Sequence, residues 1–313
     1  MQIINCQGDA KAPTASTVSP ASTMWEVCQP HILVFGREMQ ERTSGQTITI
    51  VGCGGLGILI AELTMRLYPA KVTLIDYDHV SVSNLNRLTG ATFQDAEAKT
   101  PKVAVAERLI HTFNPDQRIH VINGNFLDRE TQEQCKEGDC DVLFCAADSV
   151  SARLAANRYC LALGIPELDL GVGAMVENGR LHRAGGQVLR ILPESGFCLA
   201  CSGLVDVELA ARDLMSKGEL ECQQEADYIR NANIAQPQVY ALNMMAASWA
   251  VWIYMKMIAG EELGFDGLAV DAQNFRAHTW TEQRRTPNNC PVCGDRGSVF
   301  TGERAELLVR EPR

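Results

Sequence analysis

Three features are missing from this sequence, and each absence excludes a class of protein. The 313 residues contain no apolar run near the ~20 residues that a membrane span needs. The N-terminus lacks the basic and then apolar pattern of a secretory signal. Basic residues are fewer than acidic ones: the chain has 28 Lys and Arg and 38 Asp and Glu, which gives a net charge of −10. We therefore expect a cytoplasmic protein whose partners include neither a membrane nor a nucleic acid, because phosphate backbones require a basic face.

Cysteine, by contrast, is plentiful, with 12 residues. In a reducing compartment, paired CxxC units favour metal ligation over disulfides. Cys198 and Cys201 form one such unit (CLAC), and Cys290 and Cys293 form the second (CPVC). Four thiolates suit tetrahedral Zn²⁺, so we predict a closed, structural zinc site that joins two distant segments of the chain. A redox CxxC or two buried cysteine pairs are the alternatives.

Strand-like and helix-like segments alternate over the first half of the chain. Thr47–Val51 and Lys71–Asp76 have the composition of strands, with a helix-like segment at Leu56–Leu67 between them. The alternation continues to a strand at Ile165–Leu170. It predicts a doubly wound α/β fold with a mostly parallel sheet and helices on both faces. After Gly171 the pattern changes, which predicts an antiparallel extension of the sheet.

A glycine-rich turn follows the first strand. Gly52, Gly54, Gly55 and Gly57 form GCGGLG between a strand and a helix. Glycines permit a tight turn and a close backbone approach to phosphate, and the following helix presents its N–H groups to an anion. Asp76 ends the next strand, where a carboxylate accepts hydrogen bonds from ribose hydroxyls. This pattern predicts an adenine-nucleotide site, with a nicotinamide-dependent dehydrogenase or a purely structural turn as alternatives.

Four polar residues beyond the turn favour ATP chemistry over hydride transfer. Arg87 and Lys102 can neutralise phosphate oxygens, and Asn84 can add a neutral hydrogen bond. Asp148 follows a strongly apolar strand, DVLFCA, and can hold Mg²⁺ that bridges to phosphates. Each also has a simpler explanation. The two cations suit a solvated surface, the asparagine suits a turn, and the aspartate suits a helix cap.

In their order, these segments resemble the ThiF/MoeB superfamily, which includes the ubiquitin-activating enzymes. GCGGLG, DYDHVSVSNLNRL, PKVAVAERLIHTFNP and the two CxxC units appear in the family's order, from about Phe35 to Cys293. The DYD and LPESGFCLAC stretches are most similar to the stand-alone activating enzyme of the UFM1-type system, and bacterial ubiquitin-like operon homologues are also similar. The resemblance implies ATP and Mg²⁺ as cofactors and a homodimer, or a heterodimer with a related subunit.

The resemblance also implies a role for each residue that matches the family's pattern. By this resemblance, Gly54 and Gly55 would contact the ATP phosphates, and Asp76 would bind the ribose. Asn84, Arg87 and Lys102 would bind the triphosphate, and Asp148 would hold Mg²⁺. Two positions depart from the pattern. Ser149 stands where the family usually has Asn, and His31 stands near the place of an arginine that contacts phosphate across the dimer.

Cys222 stands alone in KGELECQQEADYI, between the first CxxC unit and a long apolar helix predicted at Val239–Ala259. Ubiquitin-activating relatives carry a thioester-forming cysteine in this interval. The polar setting favours exposure of the thiol, whereas the neighbouring glutamates would raise its pKa and disfavour the reactive thiolate. Cys222 is therefore a candidate carrier of a thioester or persulfide, with an incidental surface thiol as the alternative.

We divide the chain into a flexible leader over 1–28, a ThiF/MoeB-type adenylation domain over 29–293 and a short charged tail over 294–313. Within the domain, 29–170 form the nucleotide-binding half and 171–293 the zinc-bearing half. The apolar composition of Val239–Ala259 predicts a buried core helix, or one shared with a dimer partner. A docking surface for the substrate protein is the alternative for this helix.

Together these features predict an E1-like adenylyltransferase. It would use ATP to adenylate the C-terminal glycine carboxylate of a ubiquitin-like protein. Thioester transfer to a cysteine for conjugation, with a ubiquitin-conjugating-type enzyme as second partner, is one continuation, and sulfur-carrier activation is another. Two further alternatives keep the fold. They are adenylation of a tRNA-base carboxylate and a non-catalytic partner subunit.

Overall fold

The computed structural model describes residues 20–205, 210, 238–282, 290 and 292–293. Three predictions lie outside these residues. They concern the leader over 1–19, the candidate thioester residue Cys222, and the tail over 294–313.

One sheet of eight strands organises the described chain, in the order β3-β2-β1-β4-β5-β6-β7-β8. Pairing is parallel from β3 to β5 and antiparallel from β5 to β8. This confirms the predicted doubly wound sheet with an antiparallel extension. The strands are β1 (Thr47–Val51), β2 (Lys71–Ile75), β3 (Ile119–Ile122), β4 (Val142–Cys145), β5 (Glu167–Glu177), β6 (Arg180–Ile191), β7 (Gly267–Asp271) and β8 (Arg276–Trp280).

Ten α-helices surround or flank this sheet in the described residues. None of them is both long and apolar enough to cross a lipid bilayer. A short 3₁₀ helix also forms at Val82–Asn84. The α-helices are α1 (Pro20–Val27), α2 (Gln29–Phe35), α3 (Arg37–Ser44), α4 (Gly57–Met65), α5 (Phe93–Glu97), α6 (Lys102–Phe113), α7 (Arg129–Glu137), α8 (Val150–Leu163), α9 (Leu199–Ser202) and α10 (Tyr240–Ile258).

Helices cover both faces of the parallel part of the sheet, as its sequence pattern requires. Successive side chains of a strand point to opposite faces, so Ile50 and Val51 of β1 belong to two different cores. The first core is shared with α4, α6 and α10, and the second with α7 and α8. All five residues of β1 are buried, which explains why this strand is an uninterrupted TITIV run.

The strand order reverses between β1 and β4, since successive strands leave β1 on opposite sides. In such sheets a crevice opens beyond the carboxyl ends of the strands at this switch point. The turns after β1, β2 and β4 all meet there. The fold therefore places the residues that follow these strands around one crevice.

The structure differs from the sequence predictions at two places. Strand β5 does not end near Leu170 but continues to Glu177, because β6 pairs with it over its whole length. Residues 20–27, expected within the flexible leader, form helix α1. Its order has a visible cause: Cys28 is fully buried, and the Arg37 guanidinium stacks on the Trp25 ring at 4.5 Å.

Candidate functional site

A cavity of about 320 Å³ lies in the crevice at the switch point. All of the predicted nucleotide residues line it except Gly57. The lining includes Gly52, Gly54, Gly55, Asp76, Asn84, Arg87, Lys102 and Asp148. Residues that follow three parallel strands, β1, β2 and β4, are thus gathered at one edge of the sheet.

The glycine turn is held open toward the cavity by close backbone packing behind it. Gly52 has a φ of +89°, and a Cβ there would lie 2.8 Å from the Ala146 carbonyl oxygen of the neighbouring strand turn. A Cβ on Gly57 would overlap the carbonyl oxygen of Gly52. Gly54, in contrast, has no atom within 4 Å of its Cβ position. The space beside Gly54 is therefore available to a ligand, while Gly57, predicted to bind the cofactor, closes the turn instead.

Asp76 connects the glycine turn to the end of β2. Its two carboxylate oxygens accept hydrogen bonds from the backbone N–H groups of Cys53 and Asp78, each at 2.7 Å. Burial raises the pKa of Asp76, against the opposing charge of Lys102 and these two hydrogen bonds. A carboxylate oxygen accepts more than one hydrogen bond, so Asp76 retains capacity for a ligand hydroxyl.

Two cations reach the cavity from different elements. Lys102 opens α6, and its Nζ contacts Asp78 Oδ2 at 2.7 Å. Arg87 is anchored by hydrogen bonds from Nη1 to the Ser83 carbonyl oxygen at 2.7 Å and from Nε to Gln238 Oε1 at 3.1 Å. The contacts fix both positive charges beside the glycine turn, where an anion would be attracted by the charges and by the N-terminus of α4.

Asn84 ends the 3₁₀ helix, and its Oδ1 accepts a hydrogen bond from the backbone N–H of Ser81 at 3.1 Å. Asp148 is exposed in the turn after β4. The cap of α8 is Ser149, whose Oγ accepts a hydrogen bond from the Ala152 N–H at 3.2 Å. The alternative of Asp148 as a helix cap is therefore wrong, and its carboxylate lies at the cavity in a position to meet a cation.

The cavity lining also includes residues that the sequence analysis did not single out, among them Asn125, Arg153 and Asn243. Asn125 follows β3, so the rule that ligands bind at the carboxyl ends of parallel strands was the signal for it. Arg153 forms a two-pronged ion pair with the buried Asp169, at 2.9 and 2.5 Å. Asn243 comes from α10, far along the chain, and no local pattern identifies it.

The four predicted zinc ligands converge outside the cavity, beside α8 and β6. Cys198 Sγ lies 3.3 Å from Cys201 Sγ and 3.7 Å from Cys290 Sγ, and Cys201 Sγ lies 3.3 Å from Cys293 Sγ. A zinc tetrahedron with Zn–S bonds of ~2.3 Å has S–S edges of ~3.8 Å. The donor set and its spacing fit Zn²⁺ with a small expansion. Hydrogen bonds among the sulfurs lower the pKa of Cys201 and raise that of Cys198.

A buried hydrogen-bond bridge joins this cysteine cluster to the sheet. Asn157 Oδ1 on α8 accepts the backbone N–H of Leu199 at 2.9 Å, and its Nδ2 donates to Glu167 Oε2 at 2.6 Å. Burial and the nearby Asp169 raise the pKa of Glu167 well above its usual range. The first CxxC unit is thereby tied to the start of β5.

Comparison with known proteins decides the family. The model of the ThiF family matches residues 28–292. The chain belongs to the ThiF family. This confirms the resemblance drawn from the glycine turn, the following polar segments and the CxxC units.

The curated relatives of this ThiF-family chain include ubiquitin-like modifier-activating enzyme 5 from two vertebrates. The Xenopus laevis protein is 34% identical over 175 residues, which are 53% of this chain and 42% of that protein. The Gallus gallus protein is 34% identical over 166 residues, 50% of this chain and 39% of that protein. The chain spans about two fifths of the length of these relatives.

Solved structures with the same fold include E. coli MccB. Its complex with ATP has a TM-score of 0.66 and 18% identity, covering 87% of this chain and 74% of that one. A structure of the microcin C7 biosynthetic enzyme MccB in complex with N-formylated MccA has a TM-score of 0.67 and 18% identity, covering 86% of this chain and 75% of that one. At these identities the likeness establishes the fold, and it agrees with the sheet order of the ThiF-family chain.

Proposed function

We propose that this chain activates a carboxylate by adenylation with ATP. In this reaction a carboxylate oxygen attacks the α-phosphorus, the bond from that phosphorus to the bridging oxygen breaks, and pyrophosphate leaves. The observation that carries the proposal is the convergence of the Gly52–Gly57 turn, two anchored cations and Asp148 in one cavity at the switch point. Catalysis then consists of alignment and charge stabilisation.

The position of each residue supports one role in this reaction. Gly54 leaves space for phosphate oxygens, and Lys102 and Arg87 neutralise them. Asp76 accepts hydrogen bonds from the ribose hydroxyls, and Asn84 adds a hydrogen bond to the triphosphate. Asp148 would hold Mg²⁺, which neutralises phosphate charge when bound.

The substrate we propose is the C-terminal glycine of a ubiquitin-like protein. The support is the name of the curated relatives, ubiquitin-like modifier-activating enzyme 5. A nicotinamide-dependent dehydrogenase is the alternative that the glycine turn alone allows, and the name of these relatives disfavours it. As the continuation, we propose over sulfur transfer that the Cys222 thiol attacks the acyl carbon of the adenylate, so that a thioester forms and AMP leaves. The acyl group would then pass to a ubiquitin-conjugating-type enzyme.

We assign Zn²⁺ to the cysteine cluster as a structural ion. The cluster is closed, since four thiolates complete a tetrahedron and leave no position for a substrate. Apolar residues surround it, among them Phe197 and Val292. The metal would fasten the C-terminal segment to α9, in the reducing compartment where unpaired thiols persist.

A homodimer is part of the proposal. Helix α10 buries one side in the first core and exposes large apolar side chains on the other. Such an exposed apolar stripe is typical of a surface that another chain covers. The stripe consists of Tyr240, Met244, Met245, Trp249 and Trp252.

Exchange of labelled pyrophosphate into ATP, in the presence of a ubiquitin-like carrier with a free C-terminal glycine, tests the first step. We expect carrier-dependent exchange, and we expect Asp148→Ala to slow it by about 100-fold or more. Asp116→Ala is the matched control, because Asp116 is exposed before β3, at the opposite edge of the sheet. A wild-type chain that binds ATP but never exchanges pyrophosphate would be the non-catalytic partner subunit, and the proposal would be wrong.

A further inference from the structure

One buried polar side chain that lines the cavity lacks hydrogen-bond partners among the described residues. Asn243 is the fourth residue of α10, is 1% exposed and lines the cavity. Neither its Nδ2 nor its Oδ1 has a hydrogen-bond partner among the described residues. A buried amide without partners destabilises a fold, so its presence requires a compensating role.

The contrast with another buried asparagine sharpens this observation. Asn157 is fully buried, and both of its amide atoms are used, by Leu199 and by Glu167. Asn243 is buried to nearly the same degree and lines the cavity, yet neither of its amide atoms has a hydrogen-bond partner in the described part of the chain. The amide of Asn157 supports the fold, whereas that of Asn243 is available to a ligand.

The surroundings of Asn243 indicate which part of a ligand its amide would contact. Its Nδ2 lies 2.7 Å from the Cβ position of Gly55, and Arg87 Cγ lies 2.9 Å from the same position. Asn243 and Arg87 therefore flank the glycine turn directly before α4, where backbone N–H groups and a positive side chain favour an anion. An amide N–H donates to a phosphate oxygen without any change of protonation.

We propose that Asn243 Nδ2 donates a hydrogen bond to a phosphate oxygen of the bound nucleotide. Asn243 is then a nucleotide-binding residue that the zinc-bearing half of the chain supplies to the glycine turn. This inference rests on the proposed function, because it takes the ligand of the cavity to be ATP. It adds that a complete phosphate site requires α10 to be docked against the turn.

The test uses the full-length chain, Asn243→Leu and Asn243→Asp, with ATP and Mg²⁺ as the probe. Leucine has a similar shape and removes the unpaired amide. We therefore expect the ligand-free melting temperature of Asn243→Leu to be unchanged or higher. By calorimetry we expect its Kd for ATP to rise by about 10-fold to 100-fold, the loss typical of a hydrogen bond to a charged group. Asn243→Asp should bind more weakly still, since its carboxylate repels phosphate. Ser248→Ala, at an exposed position of the same helix, is the control and should bind normally.

Each other outcome overturns the inference in a distinguishable way. If Asn243→Leu binds ATP like the wild type, the hydrogen bond to phosphate does not exist, while the proposed function stands. If only the KM for the carrier rises, the partner of the amide is the substrate carboxylate rather than a phosphate. If Asn243→Leu melts well below the wild type without ligand, its role is structural. If the wild type binds no ATP, the proposed function fails together with this inference.

Discussion

The two sides of the sheet are stabilised in different ways. The parallel side is buried on both faces, and strand β1 has no exposed residue. On the antiparallel side, four of the five residues of β8 are exposed, and a separate small core around four cysteines packs against α8 and β6. The cavity is therefore built on a part of the fold held by apolar packing, whereas the antiparallel side also relies on a cluster of cysteines from distant segments. Three changes test this difference, starting with the one of largest expected effect.

Removal of a zinc ligand should affect the antiparallel side most. We expect Cys290→Ser to lose Zn²⁺ and to lower the free energy of unfolding by about 5 kcal/mol or more, because binding energy of a structural zinc is folding energy. Hydrogen exchange should lose protection in β6, β7 and β8 and keep it in β1 and β4. Cys140→Ala, a cysteine outside the cluster, should keep its zinc. Equal loss of protection on both sides would show that the two sides are not stabilised separately.

Substitutions in the glycine turn should separate folding from binding on the parallel side. A Cβ on Gly57 would overlap the Gly52 carbonyl oxygen, so Gly57→Ala should cost about 2–4 kcal/mol of stability. Gly54 faces open space, so Gly54→Ala should change ligand-free stability by less than about 0.5 kcal/mol. It should still weaken ATP binding, because the methyl group enters the phosphate space. Thermal melts and calorimetry measure the two effects, and equal destabilisation by both substitutions would contradict this division of roles.

The smallest expected effect is a loss of folding stability at acidic pH, from an ion pair on the parallel side. Arg108 holds both carboxylate oxygens of Asp95, at 2.9 and 2.7 Å, and lowers the pKa of that carboxyl well below its usual range. The pair stabilises the fold above the ordinary aspartate pKa of ~4, and the contribution is lost as the pH falls below it. Because Arg108 is half exposed, the contribution should be about 1 kcal/mol or less. Arg108→Gln should reduce the loss of stability between pH 5 and pH 3 in urea titrations, and an unchanged profile would contradict the assignment.

The sequence predicted what lies close together along the chain. The glycine turn, Asp76, Asn84, Arg87 and Lys102 fall in one continuous stretch, and their order contributed to the resemblance to the ThiF/MoeB superfamily. The CxxC units are far apart along the chain, but paired units of this kind favour a shared metal over disulfides where thiols stay reduced, so the convergence of the four cysteines was also predictable.

What the sequence could not supply depends on contacts between distant segments. Strand β5 continues past Leu170 because β6 pairs with it, and nothing in the β5 sequence specifies that partner. Asn243 lies in an apolar helix, where nothing in the sequence distinguishes one polar side chain with a function from one without. Its importance follows only from where α10 packs. Ser149 took the capping role that the sequence also allowed for Asp148, since either side chain can cap a helix.

The contact between Gly57 and the Gly52 carbonyl has a consequence for how lineages of this fold diverge. A descendant that no longer binds a nucleotide is free to replace Asp148 or Lys102, since neither is needed to close the turn. It is not free to replace Gly57, because any side chain there collides with the backbone whether or not a ligand is bound. We therefore expect Gly57 to be retained in relatives that have lost the activity. Its presence indicates common ancestry of the fold and not catalysis.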